Sequence, residues 1–190
     1  MEMFLRFFSD TAPGDVLVAV VAALGLSITV ISILRQTRNS RLEKVADVLM
    51  DCTRRFAELF VMRHTLERDV GHKNISERQA ARRYYSAYWS LQWDQYNYFL
   101  LGLLPREVLA TWFLERLALL ERNECILATS FADGWNKIGR QQLVSYTRFL
   151  IFVDAVFELE GSDKVVAKAK IDELLMSAYK NSLSLRRSYN

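Results

Sequence analysis

Between Val16 and Leu34 the chain reads VLVAVVAALGLSITVISIL, 19 residues without a charge. As a helix rising ~1.5 Å per residue it is about 28 Å long, close to a hydrocarbon core of roughly 30 Å. Its few polar groups, the hydroxyls of Ser27, Thr29 and Ser32, can bond back to their own helix and are tolerated in lipid. A cleaved signal peptide fits less well. The preceding MEMFLRFFSDTAPGD sets one Arg against Glu2, Asp10 and Asp15, and no small-x-small site ends the run. The run is therefore expected to be an uncleaved transmembrane helix. The flank that follows carries Arg35, Arg38, Arg41 and Lys44 against one Glu. The positive-inside rule then puts the short segment 1–15 outside and the bulk of the chain in the cytoplasm, at a bacterial inner membrane. Two readings of the four cations stay open. They either only set topology, or also attract membrane lipid, each by about 1 kcal/mol on an anionic leaflet. FLRFF at 4–8 reads as an interfacial aromatic anchor or a tip.

Beyond the flank the expectation is all-α: one N-terminal transmembrane helix continuing into a cytoplasmic bundle of about five helices over 35–183, with a flexible tail at 184–190. Half the residues are apolar, and two Pro and seven Gly are too few for a sandwich or a propeller. Leu42, Val45, Leu49, Cys52, Phe56, Leu59 and Leu66 recur at steps of three and four, the seam of a helix reaching about Asp69. That seam reads as a core strip or as a self-association face, with Arg63 out of place on it. GHKN at 71–74 is a loop, and SERQ at 76–79 is a capping box opening a second helix to about Leu101. Gly102 suits a left-handed cap and Pro105 the first turn of a third helix, 105–123. ECILATSFADGWNKIG reads as helix then turn, and 140–160 as a helix in which Arg148 and Asp154 argue against a second span. The last helix shows one face of Ala167, Ile171, Leu174, Leu175 and Ala178. No strand alternation is visible.

The chemistry-bearing residues are sparse. There is no Gly-rich phosphate loop, and two His and two Cys lie too far apart for a metal set. Cys52 and Cys125 sit in apolar helical stretches and read as inert free thiols. The Arg-then-His spacing of helical membrane-tethered RNases of the HEPN type fails at His64 and at His72. Arg68 is the nearest candidate, and only three residues separate it from His72. No cofactor and no catalytic residue is expected, and a net charge of +3 does not point to nucleic acid.

The second helix holds the densest aromatic stretch, YWSLQWDQYNYFLLGLLP at 88–105. Set at 100° per residue, Tyr84, Tyr88, Leu91, Gln95 and Phe99 share the most apolar strip, with Tyr85, Trp89, Gln92 and Tyr96 beside it. The polar strip carries Arg82, Arg83, Ser86, Ser90 and Asn97, with Trp93 in its middle. Trp93 is either a contact for a partner or the bilayer interface, or it is covered by a loop or the last helix. Asp94 and Arg116 lie within one turn of level in an antiparallel hairpin, so an Asp94–Arg116 ion pair is expected, joined by Gln95.

The segments RRFAELFVMRHTLE and YWSLQWDQYNYFLLGLLPREVLATWFLERL, placed after a membrane segment and a basic flank, resemble a group of uncharacterised bacterial single-pass membrane proteins with a helical cytoplasmic domain. The resemblance covers roughly 16–120 and implies the anchor and the hairpin, with no catalytic residues to carry over. The function expected is a membrane-anchored interaction module acting through a protein partner or self-association, as scaffold, sensor or accessory effector. Two alternatives remain. One is an oligomeric pore or membrane-disrupting effector built on the small residues Ala19, Ala22, Ala23 and Ser27. The other is a membrane-tethered nuclease or other enzyme with an unrecognised site.

Overall fold

The computed structural model describes the backbone over residues 13–188 and side chains at Ser32 and over 35–184. FLRFF, and the side chains of the 16–34 run apart from Ser32, lie outside the described residues. Among the described residues no helix is long and apolar enough to cross a membrane. The chain divides into two units, Met1–Lys44 and Val45–Asn190.

The first long element is α1, Pro13–Gly71, a helix of 59 residues. No Pro or Gly breaker falls between the apolar run and the seam, so the helix is continuous, as the sequence suggests. Within the second unit, Cys52, Leu59 and Leu66 are buried at heptad spacing. Phe56, expected on the same seam, is 54% exposed, as Leu42 is at 58%. Val45 and Leu49 of the expected seam are half-buried, and Val48, Arg55, Met62 and Asp69 are half-buried beside it. The seam thus largely holds, and its contact extends toward the Val48–Arg55–Met62 side while Phe56 and Leu42 are left exposed. Arg63 tolerates its place because its guanidinium donates to Glu67 2.8 Å away at the half-exposed rim.

Helix α2, Glu77–Leu100, starts on the expected capping box. The Gln79 amide donates to Ser76 Oγ at 3.3 Å, and Gln79 Oε1 accepts from the Ser76 amide at 3.2 Å. Gly102 takes φ +72° in the turn, and Pro105 is the N-cap of α3, Arg106–Glu121, one position before its first turn. Of the 24 residues of α2, those buried include Tyr84, Tyr85, Tyr88, Trp89, Gln92, Gln95 and Tyr96, an arc of about 140° around its axis, and from Tyr84 to Leu100 every remaining residue is at least half-buried. It is the central helix of the bundle.

The next segment departs from the expected helix. Cys125–Ile126 (β1) and Thr129–Ser130 (β2) pair antiparallel, Cys125 against Ser130 and Ile126 against Thr129. The two-residue connection Leu127–Ala128 has φ of +52° and +56°, the left-handed geometry that suits a tight hairpin. Leu-Ala carries none of the Asn or Gly that normally announces such a turn, so the strands are not legible from residue type. A short turn, α4 (Phe131–Asp133), leads into a π-helical stretch, Gly134–Gly139, and then α5, Arg140–Gln142. The helix expected at 140–160 breaks at Leu143–Tyr146 and resumes as α6, Thr147–Phe157. Helix α7, Lys164–Ser188, buries Ala167, Ile171 and Leu175 as expected. It continues through most of the segment read as a loose tail.

The π-helical stretch lies flush on α2. A Cβ at Gly134 would overlap the Tyr85 ring, and one at Gly139 would sit 2.5 Å from Trp89 Cδ1 and 2.8 Å from Trp135. Gly139→Ala is therefore expected to lose about 1–3 kcal/mol by overpacking, although Ala is the better helix former. Gly71→Ala, which meets nothing within 4 Å, is expected to be neutral or up to about 1 kcal/mol stabilising. Urea unfolding of both variants checks the contrast.

Candidate functional site

Three helices of the second unit meet at Gln95. From α2 its side-chain oxygen accepts a hydrogen bond from Arg116 Nη2 of α3 at 3.1 Å. The same side chain neighbours the Cys52 thiol of α1, whose pKa is pushed up chiefly by burial and next by the charge of Asp51. Cys52 is thus a poor nucleophile, the inert core thiol its apolar setting suggests.

Asp94, one position along α2, is turned about 100° away from Gln95. Its carboxylate pairs with Arg55 of α1 at 2.8 Å, not with Arg116. The expected Asp94–Arg116 clasp is corrected on this point. Asp94 and Arg116 are level, but the rotation carries Asp94 to the α1 side of α2. Only the Gln95 arm of that expectation forms.

Arg116 is left in an unusual state. It is 4% exposed. Among the described residues no carboxylate lies within ion-pair distance of it, and its Nε has no hydrogen-bond partner. The guanidinium carbon stands 5.2 Å over the Phe113 ring; the Tyr88 hydroxyl is a further polar neighbour, and the Glu115 charge acts on it beyond ion-pair distance. Burial lowers its pKa, but a guanidinium stays protonated in a protein. The bundle therefore holds a desolvated positive charge that one amide and one phenol satisfy only in part. An unpaired buried ion costs several kcal/mol.

This charge lines a groove of about 310 Å³. Leu59 and Phe60 of α1, Trp112 and Leu119 of α3, and Ile126 of β1 supply apolar walls, while Glu115 and Glu124 also line it. The groove is thus mostly apolar, with Arg116 buried in its lining and Arg63 as a second, half-buried cation.

The surface expected around Trp93 is arranged differently. Trp93 stacks on Tyr146 with centroids 4.2 Å apart, and Phe149 meets it edge-on at 5.5 Å. The break at Leu143–Tyr146 is what delivers Tyr146 there. A loop covers Trp93, so it is not an open contact. Ser90 accepts from Gln142 Nε2 at 2.8 Å; Ser86 and Asn97 are half-buried; Arg82 and Arg83 are exposed. Arg82 lines a polar depression with Lys137, and Arg83 an adjoining one with Ser90, with Ser86 shared between the two. The predicted strip thus spans two adjoining depressions rather than one. Arg35, Arg38, Arg41 and Lys44 are all exposed. Among the described residues no cluster of three or more His, Cys, Asp or Glu is placed to hold a metal ion.

Sequence reasoning missed the apolar stripe on the outer side of α1. Met50, Phe56, Phe60 and Val61 are 72%, 54%, 61% and 64% exposed. On a helix they fan across an arc of about 140°. The signal was present in the sequence, because these residues lie beside the buried heptad positions, but it could not be separated from the seam without knowing which edge is covered.

No family model, no curated protein and no solved structure matches the chain.

Two predictions follow from this geometry. A double-mutant cycle on Asp94→Asn and Arg55→Gln is expected to show a coupling of about 0.5–1 kcal/mol, the range for a half-exposed pair. The same cycle on Asp94 and Arg116 is expected to show none. The buried phenols set the alkaline limit. Burial pushes Tyr84 and Tyr96 up from 10 to about 12. Above pH 10 the unfolded chain loses phenolic protons that the folded chain keeps, so stability is full below pH 10 and falls between 10 and 12. Each phenol contributes up to about 1.4 kcal/mol per pH unit to that fall. Tyr96→Phe should flatten the decline in melting temperature between pH 10 and 11.5; an unchanged slope would refute this assignment.

Proposed function

We propose that the chain is a membrane-anchored helical interaction module, acting through protein–protein contact without catalysis of its own. The exposed stripe of α1, centred on Phe56 and Phe60, carries this reading. A run of large apolar side chains on one exposed face is the usual mark of an interaction surface. The anchor is supported by the uncharged 16–34 run and by Arg35, Arg38, Arg41 and Lys44, which would hold the bundle on the cytoplasmic side of an inner membrane. Absence of a Gly-rich phosphate loop or a metal-ligand pattern in the sequence favours contact over catalysis. The occupant of the stripe is a second copy of the chain or another protein.

A photo-crosslinking amino acid placed at position 60 in the full chain, in cells, distinguishes these occupants. Irradiation should give a discrete adduct at position 60 and none at Lys168, which is exposed elsewhere on the bundle. An adduct of twice the chain mass means a second copy, and another mass means a protein partner. Equal labelling at both positions, or none at 60, would remove the stripe as a contact face.

A further inference from the structure

From the Arg116 groove we infer a binding site for a monoanionic carboxylate amphiphile, of the fatty-acid class, with the carboxylate on Arg116 and the alkyl chain along the groove. The argument starts from the charge. Arg116 is 4% exposed and its Nε is unpartnered. The Gln95 carbonyl, 3.1 Å from Nη2, leaves donors of the planar fork unused. A carboxylate matches that fork with two parallel hydrogen bonds and supplies the missing counter-charge. Walls of Phe60, Trp112 and Leu119 then suit an aliphatic chain.

The groove also selects against rivals. Arg63 and Arg116 line it with Glu115 and Glu124, so the formal charges of the lining cancel and a phosphate dianion would bring twice the uncompensated charge of a monoanion. The volume of about 310 Å³ lies at the lower end of small-molecule sites, roughly 300–1,000 Å³, which favours a slim single chain over a folded peptide segment.

Isothermal titration of the full chain in dodecyl maltoside, with octanoate, octanol and octyl phosphate as probes, tests the assignment. Octanoate should bind one to one, and more tightly than octyl phosphate. Arg116→Met should weaken octanoate by about tenfold or more, the value of a charge-assisted hydrogen bond in a desolvated site, and leave octanol within about twofold. It should also leave the melting temperature equal or higher, because a buried ion replaced by an apolar side chain of similar size is often neutral or stabilising. Leu119→Trp, which fills the groove from its wall, should weaken octanoate and octanol together. This second variant decides the matter should Arg116→Met not fold. Octanoate that fails to bind, or binds both variants as well as the parent, overturns the proposal. So does tighter binding of octyl phosphate, or Arg116-dependent binding of phosphatidylserine vesicles without any binding of octanoate, since both point to a lipid headgroup.

Discussion

Helix α2 is enclosed on nearly every side, and most of the second unit follows from satisfying that enclosure. Its aromatic side chains fan over an arc of about 220°, so several flanks need a cover shaped to large rings. The π-helical stretch can lie against Tyr85 and Trp89 only because Gly134 and Gly139 present no Cβ. Helix α6 brings Phe149 and Phe152 to Tyr96, at 5.4 and 5.0 Å between centroids. The turn before it lays Tyr146 over Trp93. Helix α1 closes another side with one buried residue per heptad. Rings are wide and interlock through edge-to-face contacts, so enclosing them fixes the angle of each covering element as well as its distance.

The same enclosure sorts the charges. Asp94 and Gln95 are sequence neighbours, yet one faces the rim and the other the interior. At the rim, Arg55 and Asp94 pair where water still reaches both. Inside, Gln95 meets Arg116 where water does not. Two arginines that look alike in sequence thus hold unlike positions. Arg55 is neutralised by its partner, whereas Arg116 is held by an amide, a phenol and a ring face. An amphiphile seated on Arg116 would lie against Phe60, which also belongs to the exposed stripe of α1. The inferred pocket and the proposed contact face therefore share a side chain.

The elements that were legible in the sequence are those governed by local chemistry. Ser76 and Gln79 announce the start of α2, Gly102 announces its end, and the Ala167–Ala178 face announces α7, because capping, left-handed backbone and amphipathic spacing act within a few residues. The missed elements depend on partners distant in the chain. The Leu127–Ala128 hairpin lacks turn residues, and it is held by Ile126 in the core and by the Tyr85 hydroxyl donating to the Thr129 carbonyl at 3.1 Å. The break at Leu143–Tyr146 exists to place a ring on Trp93. Helix level put Arg116 close to Asp94 and Gln95, but choosing between those two required the rotation of α2, which only the position of α1 settles. The groove, being the space left among three helices, has no signature in any one of them.

Arginine at position 116 has a consequence that another cation would not. A buried lysine or histidine can escape its desolvation by releasing a proton, becoming an uncharged group at ordinary pH. A guanidinium has no such exit. The charge under the groove is in effect permanent, and no acidification or alkalinisation within the physiological range can turn it off from the protein's side. Any pH response in what the groove holds must therefore come from some group other than Arg116.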